Sequence, residues 1–384
     1  MKHCKTILFV VHESKKSGAP LLLLNLLRMF EQSAAFNIEI LISKTGELDD
    51  AFDAIAATYF YNPKYLSALN LKSKILRKVL PKAQTLKRYQ KNLYHNLEAK
   101  NYDCIYFNSL GCYPIFPFLE NYKAKKVVHV HELNDVVSGM DQHTVKKMLN
   151  NADVIVSSYN VVTDFLKNQF QIQQNDILQN AVYLFPDRKV AIDALDEVPK
   201  PADAIFRIGG CGSVELRKGT DIFVDFAIKT IKEMPEVSLE FIWVGNAQTE
   251  LAETLKATIK TEKLEHHITF VGSTPTPEVY FKTLDVFFLS SREEAFGLVA
   301  LENAYCKNPL VCFDIIGDLP LFINQYKCGK VIPKYDFNVF KAFIMELIED
   351  SSYARALGEE GKKAVVNYFN IEDQAKVIKE VLVL

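Results

Sequence analysis

Short apolar runs recur along the chain, each closing on a polar or glycine-bearing turn. Thr6 to Val11 is the first, ended by His12 and the turn Glu13-Ser-Lys-Lys-Ser-Gly-Ala-Pro20, after which Leu21 to Met29 carries helical periodicity. Runs of four to six apolar residues bounded by turn signals mark strands buried on both faces of a sheet. Further strands are predicted at Ile38 to Ile42, Cys104 to Phe107, Val127 to Val130 and Val154 to Ser157, with helical patterns between several of them. A polar, proline-bearing stretch from Pro186 to Ala202 breaks the pattern and reads as a linker. A second series follows: Ile205 to Gly209, Leu239 to Val244, Ile268 to Val271, Val286 to Leu289 and Leu310 to Phe313.

Strands alternating with helices predict an α/β protein with parallel sheets. Two such series in 384 residues predict two Rossmann-like domains facing across a cleft, where ligands of open α/β sheets bind. The predicted domains are 1–186, rejoined by a final amphipathic helix at about 371–384, and 204–370. A net charge of −2 gives no global attraction to nucleic acid. Seven scattered cysteines, an odd number without Cys-x2-Cys spacing, argue against a disulfide framework and for the cytoplasm. No apolar stretch approaches the roughly 18 residues of a membrane span, so the expectation is a soluble protein, or one peripheral at the inner face of the membrane.

The chemistry concentrates between Ser291 and Glu302, Ser-Arg-Glu-Glu-Ala-Phe-Gly-Leu-Val-Ala-Leu-Glu. A strand ends before it, and a helix is expected from near Phe296 toward Tyr305. The free N–H groups of that helix start form an anion site beside the turn. Glu294 lies in the turn, and Glu302 stands about 9 Å further along the helix. Two carboxylates flanking an anion site suit a ligand with hydroxyls at both ends and phosphate between them, as in a nucleotide sugar. Spacing alone is a weak signal, because two Glu eight positions apart are common. The glycines at 209, 210 and 212 do not complete a dinucleotide fingerprint.

The Glu294-x7-Glu302 pair with Phe296-Gly297-Leu298-Val299 between, Ser291-Arg292 before and Asn308-Pro-Leu-Val311 after resembles the family 4 retaining glycosyltransferases, whose two Rossmann-like domains form the GT-B architecture. The resemblance implies that Glu294 holds the transferred sugar and Glu302 the ribose, with Phe296, Gly297, Leu298 and Val299 at the donor. Gly212-Ser-Val-Glu-Leu-Arg-Lys-Gly219 matches the family's Gly-Arg-Leu-x3-Lys-Gly at Gly212, Lys218 and Gly219, which gives Lys218 the leaving diphosphate. Ser213 stands where the family has Arg, and Arg217 is the candidate replacement. Gly18 occupies the family's glycine loop. In Val-Val-His-Val-His-Glu132, strand alternation puts His129 and His131 on one side. The resemblance sets His131 beside the sugar and Asn108 near the cleft, and Glu132 is expected to orient His131 or to meet the acceptor. A His pair satisfied inside the domain, or an incomplete zinc pattern, is the alternative. Gly317-Asp-Leu-Pro-Leu321 has Leu321 where the family has Glu.

From Ala54 to Leu97 there is no Asp or Glu, while Lys64, Lys72, Lys74, Arg77, Lys78, Lys82, Lys87, Arg88 and Lys91 accumulate among apolar residues. This basic stretch, 64–91, is expected to meet an anionic membrane surface or a lipid diphosphate; a solvated helical face is the alternative. The expected activity is metal-independent, retaining transfer of a hexose from a UDP- or GDP-sugar to a glycan or lipid-linked acceptor in cell-surface polysaccharide assembly, with no cofactor. The competing expectation is a nucleotide-sugar-binding partner protein without turnover, favoured by Ser213 and Leu321. A phosphorylase lacks support, since no lysine-rich pyridoxal phosphate motif is present.

Overall fold

A computed structural model describes residues 4–62, 82–197 and 203–383. They form two compact units, 1–181 with 372–384 and 182–371.

The first unit holds seven parallel strands: β1 (Thr6–Glu13), β2 (Asn37–Lys44), β3 (Ala57–Asn62), β4 (Cys104–Asn108), β5 (Lys125–Val130), β6 (Val154–Ser157) and β7 (Ile177–Gln179). Their order is β3-β2-β1-β4-β5-β6-β7. Ile7 to Val11 are wholly buried at the centre of this sheet. The Gly18–Gln32 helix packs Leu23, Leu26, Leu27 and Phe30, three to four residues apart, into the same core. The last helix, Ile371–Val383, adds Ala375, Ile378, Val381 and Leu382.

The second unit holds six more: β8 (Phe206–Cys211), β9 (Leu239–Val244), β10 (Ile268–Gly272), β11 (Val286–Leu289), β12 (Leu310–Phe313) and β13 (Gly329–Ile332). The order β10-β9-β8-β11-β12-β13, all parallel, reverses between β8 and β11. In open parallel sheets such a reversal leaves a crevice at the strands' carboxyl ends. β1 and β4 make the equivalent reversal in the first unit. Both predicted clusters of chemistry, around 212–219 with 291–302 and around 108 with 131, leave the sheets at these points.

Three expectations change. The stretch read as a linker begins with a helix, Pro186–Asp193, that belongs to the second unit, and the units divide at Ala181 rather than at 186. Proline at the first helical position is pre-organised for a helix start, and Ile192 anchors it in the core. Gly18 is the first residue of its helix rather than part of a loop. The helix after the Glu294 turn starts at Leu298, not Phe296, because Gly297 takes a left-handed φ of 84°. Lys64, Lys72, Lys74, Arg77 and Lys78 lie outside the described residues. Lys87, Arg88 and Lys91 are exposed on the Lys82–Glu98 helix, whose other face buries Leu93 and Leu97. Among the described residues no helix is long and apolar enough to cross a membrane.

Phe288 on β11 sits among Phe223, Phe226, Phe313 and Phe340, with ring centroids 4.8–6.1 Å apart. Phe288→Ala is expected to cost about 3–5 kcal/mol, measured by denaturant unfolding of the second unit's transition.

Candidate functional site

The loop after β8 and the turn after β11 are joined before any side-chain chemistry begins. Gly219 caps the Thr220–Glu233 helix with φ 66°, and a Cβ there would lie 1.8 Å from the Ser290 carbonyl oxygen. The Ser290 hydroxyl donates to the Lys218 carbonyl at 3.1 Å, and the Arg292 N–H donates to the Arg217 carbonyl at 2.8 Å. Arg292 clamps the joint with two bonds to the Asp221 carboxylate, at 2.8 and 2.7 Å.

Held this way, Lys218 runs its stem over Gly212 and pairs its ammonium with the Glu294 carboxylate. Arg217 points to the same place: its guanidinium lies 3.7 Å from Glu294 and 3.0 Å from Glu215, and donates to the Glu293 carbonyl at 3.4 Å. Arg217 therefore shares the site of Lys218, while Ser213 is exposed beside it. Gly317 backs the turn closely, since a Cβ there would stand 2.3 Å from the Glu294 carbonyl oxygen, and the Asp318 N–H donates to Ala295 at 2.7 Å.

Gly297, Leu298 and Val299 form the start of the Leu298–Tyr305 helix, which has no side-chain cap. Phe296, expected at the donor, has its ring buried against Phe322 and Phe369. Glu302, one turn before the end of that helix, is 8 % exposed. Burial, opposed by Arg188 and reinforced by Glu278 and Asp187, raises its carboxyl from 4.5 to about 7. Arg188 comes from the Pro186–Asp193 helix and is a residue that the sequence reading assigned to a linker. Its Nε stands 3.9 Å from Glu302, while its NH1 donates to Glu278 at 2.6 Å and to the Pro275 carbonyl at 3.1 Å.

In the first unit, Asn108 ends β4 and its Nδ2 donates to the Ala19 carbonyl at 2.9 Å. A carbonyl only accepts, so the amide oxygen of Asn108 must face His131 Nε2, 3.1 Å away, and that nitrogen must carry the proton. His131 Nδ1 then accepts from the Ser158 hydroxyl. Ser158 in turn accepts from His129 Nε2 at 2.9 Å, and His129 Nδ1 accepts from the Tyr106 hydroxyl at 2.5 Å. One acceptor-only carbonyl thus fixes both tautomers, and both histidines are neutral. Burial works in the same direction: it lowers His129 to about 3, and burial with the neighbouring His129 lowers His131 well below its usual range.

The rings lie 4.1 Å apart on one side of β5, as strand alternation predicts, and their nitrogens are engaged by side chains. Among the described residues no three His, Cys, Asp or Glu side chains gather as metal ligands. Glu132 does not orient His131's ring. Its carboxylate accepts from the Ser109 hydroxyl and from the N–H groups of Leu110 and His131, at 3.2 and 3.0 Å for the latter two. Ser158 and Tyr106 were not legible as partners, since β5 must pair with β6 and with β4 before they meet the histidines.

Residues 206–364 match the family model described as glycosyl transferases group 1. The match covers most of the second unit. The chain is 25 % identical over 242 residues to a lipopolysaccharide core biosynthesis mannosyltransferase, LpcC, of Rhizobium leguminosarum bv. viciae, covering 62 % of this chain and 66 % of that protein. It is 23 % identical over 251 residues to a poly(ribitol-phosphate) alpha-N-acetylglucosaminyltransferase of Staphylococcus aureus, covering 64 % of this chain and 48 % of that one. The chain thus spans under two thirds of the length of each of these relatives. Anabaena HepE, solved in complex with UDP, superposes with a TM-score of 0.75 at 15 % identity, covering 99 % of both chains. The fold is that of the GT-B glycosyltransferases, and within the matched residues the β8–β11 joint carries the Lys218–Glu294 pair.

Two outcomes are expected. Because Glu302 titrates higher folded than unfolded, the folded domain binds the extra proton between about pH 4.5 and 7. Its contribution to stability therefore falls by up to about 3 kcal/mol as pH rises through that window. Denaturant unfolding of Glu302→Gln across this range should lose that dependence. Ser158→Ala leaves His129 Nε2–H and His131 Nδ1 unpaired in a buried site, which should cost about 1–3 kcal/mol in the first unit's unfolding transition.

Proposed function

We propose that the chain is a retaining glycosyltransferase that moves a hexose from a UDP- or GDP-sugar to a hydroxyl acceptor in polysaccharide or lipopolysaccharide assembly. The observation that carries this reading is the convergence of Lys218 and Arg217 on Glu294, beside the uncapped start of the Leu298–Tyr305 helix. Cleavage of a sugar–phosphate bond builds negative charge on the leaving diphosphate, and preorganised cations and helix N–H groups stabilise that charge most where it grows.

Lys218 is the main counter-charge and Arg217 stands in for the arginine absent at Ser213. The paired state sets the order of events. An entering diphosphate takes Lys218 from Glu294, and the released carboxylate is then available to accept a hydroxyl of the transferred sugar. Glu302 accepts the ribose hydroxyls. The first unit takes the acceptor, with Asn108, His131 and Glu132 at the end of its central strands and Gly18 opening the helix beside them. Retention of the anomeric configuration, independence from metal and a cytoplasmic site of action follow the family resemblance. The relatives' names support the setting, a lipopolysaccharide core and a poly(ribitol-phosphate), and the HepE complex supports UDP.

A thermal-shift panel of UDP, GDP and ADP should single out one nucleotide, because a ligand of the native state raises its stability by mass action. With the matching sugar nucleotide, slow donor hydrolysis is expected, reduced by about 10²-fold or more in Lys218→Ala and Glu294→Ala. Binding without turnover on any glycan or lipid-linked acceptor would instead assign the chain as a sugar-nucleotide-binding partner.

A further inference from the structure

We infer that Arg188 is the positioning residue that holds the Glu302 carboxylate in its charged, accepting form for the ribose hydroxyls of the donor. This rests on the donor reading of Glu302 given above. Arg188 sits six residues past the boundary between the two units, and its guanidinium is divided between two buried carboxylates. Glu278 takes the hydrogen bond and, with the Pro275 carbonyl, fixes the guanidinium plane. Glu302 faces Nε at ion-pair distance without a hydrogen bond. Its oxygens are thereby stabilised as an anion while their lone pairs stay available to a ligand.

The helix bearing Arg188 is tied to the same place by other contacts. The Tyr305 hydroxyl donates to Asp193 at 2.7 Å, and Lys282 and Lys362 both pair with Asp196. The titratable groups facing Glu302 are Arg188 and Asp187 from this helix, Glu278 from Glu278–Phe281, Cys211 at the end of β8, and Cys306 from the next turn of its own helix. From Ser351–Tyr368, Lys362 lies over the Tyr305 ring at 4.5 Å. Among the described residues, Arg188 is the cation acting on Glu302, against two acids, Glu278 and Asp187. A carboxylate buried with acids alone is neutral near pH 7, and a neutral acid offers a ribose diol one acceptor fewer.

The test reads Glu302 directly and then through a nucleotide. Carboxyl ¹³C titration of the full chain, with the signal assigned by its loss in Glu302→Gln, should show the midpoint moving up in Arg188→Ala, returning in Arg188→Lys, and moving down in Glu278→Gln. The opposite signs keep the test decisive if one variant folds poorly. In parallel, the Kd of UDP and GDP is followed against pH as the ratio of variant to native, in which the ligand's own protonation cancels. Each unit of upward movement lowers the ionised fraction, and with it affinity, by about five- to tenfold near neutral pH. The Arg188→Ala deficit should therefore close toward pH 9 and vanish in a Glu302→Gln background. An unmoved midpoint, or a loss equal at every pH, overturns the inference. Native protein that binds neither nucleotide overturns the donor reading instead, while the titration still decides whether Arg188 governs Glu302.

Discussion

Where the carbonyl of Ser290 passes Gly219, there is no space for even one carbon atom. That approach is possible only because β8 and β11 are neighbours at the point where the sheet reverses its order. It brings a lysine and a glutamate 76 residues apart in sequence into contact. Every later property of this site inherits from it: the shared target of Arg217 and Lys218, the clamp of Arg292 on Asp221, and the open helix start beside them. A side chain at position 219 would force the loop and turn apart, and the cations would lose their common focus.

The two units use polar groups in opposite ways. At the second unit's site charges are concentrated, with Lys218 and Arg217 held against the Glu294 and Glu215 carboxylates. In the first unit the polar groups between Tyr106 and Ala19 form a chain of neutral donors and acceptors whose direction is set at one end. Such a chain rigidifies the end of β5 and keeps His131 from becoming a cation there. A neutral imidazole fits a part in hydrogen bonding to hydroxyls rather than to phosphate.

The central strands were legible because each is a continuous apolar run buried on both faces, as with Ile7 to Val11 and Val286 to Leu289. The edge strands β3, β7 and β13 were not, since their residues are half exposed and the run is broken. The donor motif was legible through its resemblance, and the structure adds which cation meets which anion. Arg188 was hidden by composition: a polar, proline-containing stretch reads as a connection, although proline at a first helical position and Asp187 in the first turn also mark a helix start. The network around His129 was beyond the sequence for another reason. Ser158 stands 27 residues from His131, and only the pairing of β5 with β6 joins them.

The final helix carries a consequence for how the molecule is made. Ala375, Ile378, Val381 and Leu382 fill the core of the unit that the N-terminus begins. A ribosome releases these residues only after the whole of 182–371 has emerged. The second unit can thus finish folding while its predecessor still lacks a wall. Until the helix emerges, that earlier unit keeps apolar surface uncovered, which is the condition under which nascent chains recruit chaperones or aggregate.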